Sequence, residues 1–291
     1  MSHAILDPLV PETALAPQTR RDPFAALSQG EEERGSGPET GFTGRRLFRA
    51  YWTETRYETV RASRMPAFAF PFLLLPVALY LFFGVLLFGE ALRKDPRAAA
   101  GMFVVWCIFG VMGPGLFGFG VFVAMEREQG LLTLKRAQPM PPAAYLLAKM
   151  GMSLLFSAAI LASLMAAALL IAHPPLSFGR LLGTSAVCWL GALPFCALGL
   201  FIGTRVSGKA APGLVNLLYL PMLYLSGFLF PLPKSIQAIA FASPAFHLDQ
   251  LAMRAAGLPA SGGTSGHLLF LALFTLLFGG LAMRRLSTLT S

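Results

Sequence analysis

Six intervals without a single Asp, Glu, Lys or Arg dominate the chain: Pro66–Gly89, Ala98–Met125, Met150–Gly179, Leu181–Thr204, Ala210–Pro233 and Ala255–Met283. Each can hold a helix of ~20 residues, the length that crosses a hydrocarbon core of ~30 Å. The pattern predicts an all-α integral membrane protein with six spans, at approximately 66–89, 99–125, 149–172, 181–204, 211–231 and 267–283. The last span is the shortest, because its continuous apolar part, Leu268–Met283, would reach only about 24 Å at ~1.5 Å per residue. Arg284 and Arg285 follow it and could snorkel to the interface.

Outside these intervals the pattern changes. Residues 1–44 are rich in Pro, Gly, Ser and Glu and lack a periodic apolar face, which predicts a disordered cytoplasmic tail. The segment has no apolar h-region and does not read as a secretory signal. Residues 287–291 form a short cytoplasmic tail after the last span.

Composition agrees with the bilayer as the solvent for most of the chain. Of 291 residues 55% are hydrophobic and 13% charged, against roughly 25% charged in a soluble domain. The net charge of +9 splits unevenly. Residues 1–44 carry three Arg against seven acids, net −4, and the remainder carries 20 basic and seven acidic residues, net +13. With both termini in the cytoplasm, 17 Lys and Arg fall inside and six outside, as the positive-inside rule requires. The basic excess thus reads as topology, and nothing in it points to nucleic acid.

Candidate chemistry is sparse. After residue 64 the only acids are Glu90, Asp95, Glu126, Glu128 and Asp249, all expected at span ends or in loops. Without a carboxylate at membrane depth an ion-coupled carrier is disfavoured, and energy for transport would enter from elsewhere. His173, His247 and His267 read as interfacial or loop residues, and no metal cluster or G-x-S-x-G nucleophile is present. Cys107, Cys188 and Cys196 lie in apolar runs with no zinc or disulfide spacing. Residues 203–210, GTRVSGKA, match the start of a phosphate loop but break at Ala210 and follow an apolar span instead of a strand. Gly199 and Gly203 form a GxxxG that would let another helix approach.

Two segments carry more information. Residues 125–151, MEREQGLLTLKRAQPMPPAAYLLAKMG, place Leu131, Leu132 and Leu134 between Glu126–Gln129 and Lys135–Arg136, ahead of a Pro139–Pro142 break. This predicts a short amphipathic helix, either a solvated connector or a docking element for a soluble partner. In residues 216–253, Pro221 interrupts span five, and Ser226–Gly227, Pro231 and Pro233 break it near the outer surface. Ser235–Leu248 is too short to cross, so external re-entrant or interfacial half-helices fit it. Together they form either the wall or gate of a pathway or a rigid external cap.

The E-R-E-x-G…L-x-R…P-x-x-P run after span two, with N-L-x-Y-L-P-M-x-Y-L-S-G-F-L-F-P-L-P…S-P…H in span five and its outer loop, resembles the permease subunit of type 2 ABC exporters. The likeness covers roughly residues 45–286, and Leu131 departs from the Thr often found there. It implies a non-enzymatic permease of the cytoplasmic (inner) membrane, with no cofactor of its own, that pairs with a second permease copy. Each copy would be joined by a separate ABC ATPase carrying ATP and Mg. A cytoplasmic coupling segment would span 126–148, with Glu126, Arg127, Glu128, Gly130, Leu134 and Arg136 at matching positions. An N-terminal interfacial helix before span one would carry Arg45, Arg46, Arg49, Trp52 and Arg56, an aromatic and basic mixture suited to anionic membrane lipid. Asn216, Tyr219, Tyr224, Ser226 and Phe228 are candidates for the pathway or gate. The implied cargo is hydrophobic or amphipathic: a drug, a lipid or a lipid-linked glycan. The alternatives are an ATP-independent channel or carrier, or a membrane-embedded transferase.

Overall fold

The structure is a computed structural model that describes residues 44–131, 142–227 and 233–288. Every regular element among the described residues is helical. Helix α1 (Gly44–Ser63) precedes α2 (Pro66–Leu81), which continues through a π-helical stretch, Phe82–Leu87. Then come α3 (Gly89–Lys94), α4 (Pro96–Glu128) and α5 (Pro142–Ala167), the last ending in a second π-helical stretch, Ala168–Ala172. Helices α6 (Phe178–Leu190), α7 (Ala192–Gly203), α8 (Ala211–Leu225), α9 (Lys234–Ala240), α10 (Pro244–Ala255) and α11 (Thr264–Thr288) complete the order. From Leu47 onward the chain packs as one unit.

Among the described residues, five helical segments are long and apolar enough to cross a membrane: Ala69–Leu87, Pro96–Glu128, Tyr145–Ala172, Phe178–Gly203 and Thr264–Leu286. The expected fifth span is the shorter apolar helix α8. It runs straight through Pro221 instead of being interrupted there, and it stops at Leu225 instead of 231. The stop has a local cause, since Gly227 adopts φ +84°, a left-handed conformation that glycine accepts without a Cβ penalty. The final span is longer than its apolar run, because Thr264–His267 extend the same helix.

Helix α4 organises the bundle. Asp95 caps it by accepting from the Arg97 and Ala98 amides, at 3.0 and 3.1 Å, and Pro96 occupies the first turn, where its missing N–H costs nothing. Of its most apolar stretch 83% is buried inside the chain, against 11% for span one and 17% for the last span. The outer two therefore present most of their surface to lipid or to another chain.

Close approach of backbones holds α4 against α7. A Cβ on Gly199 would lie 2.6 Å from the Gly115 carbonyl oxygen, and one on Gly203 would lie 2.9 Å from that of Gly120. The GxxxG of α7 is thus a packing face, and the loop after it is a turn between two helices with no strand before it.

Candidate functional site

The end of the bundle where α1 lies holds a buried polar cluster. Helix α4 runs without interruption to Glu128, so Glu126, Arg127 and Glu128 belong to the last turn of the central helix and do not open a separate segment. Gly130, at φ +71°, then turns the chain. Glu126 faces inward and is buried. Its Oε1 accepts from Arg61 Nη1 at 2.7 Å and from Lys149 Nζ at 3.0 Å, and its Oε2 accepts from the Tyr145 hydroxyl.

Lys149 is fully buried and reaches Glu58 Oε2 at 2.9 Å. The rings of Tyr145 and Phe122 lie 5.2 and 5.9 Å from its ammonium. Two acids and two bases, from α1, α4 and α5, thus pair with one another, with Glu58, Glu126 and Lys149 buried and Arg61 reaching in from the exposed side. A buried charge is tolerated when it is paired and hydrogen-bonded in this way.

Glu126 thus lies at a span end as expected, yet it faces inward and is buried. Glu58, Tyr145 and Lys149 were not among the sequence-derived site residues. Their signal was faint: one of two acids on an Arg-rich helix, and a Lys set immediately against a long apolar run. Only the fold brings Glu58 and Lys149, 91 positions apart, into contact.

Beside the cluster, Arg127 Nη2 donates to the Val206 carbonyl at 2.8 Å, tying the end of α4 to the turn between α7 and α8. Gly208 of that turn packs against Met125 and Glu128. Glu128 itself is exposed. Leu134 and Arg136 lie outside the described residues. On α1, Arg49, Trp52 and Arg56 are exposed, whereas the side chains of Arg45 and Arg46 lie outside the described set.

The second group of expected residues separates into two faces of α8. Tyr219 is buried and donates to the Phe109 carbonyl of α4 at 2.9 Å. Ser226 is also buried and donates to the Leu223 carbonyl at 2.7 Å, closing the helix end. Asn216 and Tyr224 point the other way, out of the chain, in a stripe with Leu217 and Leu220, which are 69% and 63% exposed. Phe228 lies outside the described residues.

At the far end of α8, the short helices α9 and α10 occupy the segment where external half-helices are expected. His247 and His267, read from the sequence as interfacial or loop residues, are buried and paired through Nδ1 at 2.7 Å. Their outer nitrogens meet the carbonyls of Phe241 and Ser261 at 2.9 and 2.8 Å. Asp249, expected at a span end or in a loop, lies within helix α10 and is buried.

Two comparisons bear on this architecture. Residues 49–258 match the ABC-2 type transporter family. The chain is also 30% identical, over 199 residues, to the Bacillus subtilis (strain 168) protein named "Putative transport permease YvfS", an alignment covering 65% of this chain and 78% of that relative. The matched region takes in the buried cluster, the α4–α7 packing face and the α8–α10 end. The chain therefore belongs to the ABC-2 type transporter family and is a multi-pass membrane transport permease.

Proposed function

We propose that the protein is the membrane half of an ATP-driven exporter that moves a hydrophobic or amphipathic cargo, a drug, a lipid or a lipid-linked glycan, using ATP and Mg held by two copies of a separate ABC ATPase. The observation that carries this reading is that the two described ends of residues 126–148, at Glu126 and at Tyr145, meet in one buried cluster. The segment follows directly on α4, the most buried of the long apolar segments among the described residues, and the Glu126 cluster clamps that helix to α1 and α5. A push on the segment would therefore move the core of the bundle instead of bending a loose connector.

In this reading the α1 end faces the cytoplasm of a cell with an inner membrane, as the 17 to 6 distribution of Lys and Arg supports. Glu126 and Arg127, both engaged within the chain, would transmit the motion. Glu128, Gly130, Leu134 and Arg136 would meet the ATPase. Exposed Arg49, Trp52 and Arg56 would lie in the headgroup layer. The outward stripe of α8, with Asn216 and Tyr224, would face a second permease copy across the pathway, and the buried Tyr219 would fix its position against α4. A channel or carrier without ATP, or an embedded transferase, gains no comparable support from the geometry.

Two substitutions test the two halves of the reading. Glu128→Lys combined with Leu134→Asp is expected to lower co-purification of the ATPase at least about fivefold, a loss of ~1 kcal/mol, while membrane insertion stays normal. Unchanged co-purification and transport would remove the docking assignment. Asn216→Leu is expected to reduce transport with the ATPase complex intact. Normal export by that variant would make the amide a packing element only.

A further inference from the structure

At the end of the bundle opposite α1, a cavity of about 230 Å³ opens where α8 ends. Ser226, Gln237, Phe241, Phe246, Asp249 and Gln250 contribute to its lining. It is smaller than the ~300–1,000 Å³ of sites that enclose a drug-sized molecule, so it suits one chemical group and not a whole cargo. Asp249 is 4% exposed and has no basic partner among the described residues.

The carboxylate is held by a positioned neighbour. Gln250 Oε1 accepts from the Ser261 amide at 2.6 Å, which turns its Nε2 toward Asp249 Oδ2 at 3.0 Å. Asp249 Oδ1 is left without a hydrogen-bond partner among the described residues. Phe241 and Phe246 stand edge to face, with ring centroids 5.1 Å apart. A buried carboxylate with a free oxygen, in a cavity also lined by the rings of Phe241 and Phe246 and by Gln237, offers the chemistry that recognises an alkylammonium group, through charge pairing and cation–π attraction. A divalent metal fits less well, since such ions require several oxygen ligands and no group of three His, Cys, Asp or Glu forms among the described residues.

We propose that the Asp249 cavity binds the cationic ammonium group of an amphipathic cargo as it leaves the outer end of α8. The role in export rests on the function proposed above; the binding itself does not.

The neighbouring titratable groups are engaged elsewhere. His247 on the same helix is turned to His267 and the Phe241 carbonyl, and Arg254 is held by Thr264 and by the carbonyls of Ser261 and Gly262. Burial pushes the Asp249 carboxyl up to about 8, with the Gln250 hydrogen bond acting in the opposite sense. The empty site is therefore mainly protonated at pH 7, and a bound cation favours the ionised form. Binding should release a proton at pH 7 and tighten as the pH rises through 8. An alkylammonium, like lysine with its value of ~10.4, stays charged throughout that interval.

The test uses the full chain purified in an uncharged maltoside detergent, with radiolabelled n-hexylammonium as the probe. Saturable binding is expected, weakened about tenfold or more, ~1.4 kcal/mol, by Asp249→Asn, and not reproduced by n-hexanol. Gly213→Ala, where the added Cβ meets nothing within 4 Å, should bind as the unaltered protein does. Equal binding by Asp249→Asn, equal binding of hexanol, or no saturable binding would overturn the proposal. Should Asp249→Asn not accumulate, calorimetry of the unaltered chain at pH 7 in buffers of different ionisation enthalpy replaces it, and the absence of proton release is then the refuting result. Loss of the export function as a reading, with ammonium binding intact, would leave the site standing.

Discussion

Replacing Lys149 by Met is expected to destabilise the protein by about 3–5 kcal/mol, the range for breaking a buried ion pair by removing one partner. The ammonium is fully buried and sits between Glu58 and Glu126, at 2.9 and 3.0 Å. Without it the buried Glu58 and Glu126 carboxylates lose the ammonium they share, while Arg61 stays on Glu126. Combining Lys149→Met with Glu58→Gln restores neutrality, and the pair should be markedly less destabilised than the sum of the two single variants. Thermal unfolding of the purified chain in one detergent, with all four proteins compared, measures the coupling. Additive losses would show that the charges do not act as a unit. Because the cluster joins α1, α4 and α5, the single variant should also weaken any response of the bundle to the ATPase.

Gly199→Val is expected to be at least as damaging, by a different mechanism. Overpacking a well-filled interior costs typically about 1–3 kcal/mol when side chains can adjust. Here the first atom added would meet backbone, with the Gly115 and Leu116 carbonyl oxygens at 2.6 and 3.0 Å from a Cβ. Neither can move without displacing α4, so α7 must separate from it and the loss should exceed that range. Gly213 offers the control, because a Cβ there meets nothing within 4 Å. Gly213→Val on exposed α8 should change the amount of folded, monodisperse protein far less than Gly199→Val. Equal yields and unfolding temperatures for the two would contradict the close helix contact.

Five of the six expected spans have long apolar helices among the described residues, and they were legible in the sequence because a bilayer demands long uncharged stretches, a demand that marks each segment independently. The break at Ser226–Gly227 was legible for an equally local reason, as a glycine ends a helix through its own backbone. Pro221 misled, since a proline within a helix removes one hydrogen bond without forcing a stop. The extent of the final span was understated because Thr264–His267 are polar yet compatible with helix.

Apolarity by itself does not rank the spans. Hydropathy is 1.9 for the nearly enclosed α4 and 2.4 for span one, which is mostly open, and only packing distinguishes a helix surrounded by protein from one surrounded by lipid. The same limit applied to the candidate site. Glu126 and Glu128 read alike as charges at a span end, but they lie two positions apart on a helix of 3.6 residues per turn, so the fold turns one into the cluster and leaves the other outside.

The sequence by itself determined the helical membrane character, the approximate spans, the distribution of basic residues and the family likeness, all of which reside in local composition and short motifs. The tertiary structure decided the central place of α4, the glycine contact between α4 and α7, the pairing of Glu58 with Lys149 and the burial of Asp249. Those depend on residues far apart in the chain meeting where water is excluded, a condition that no single segment encodes.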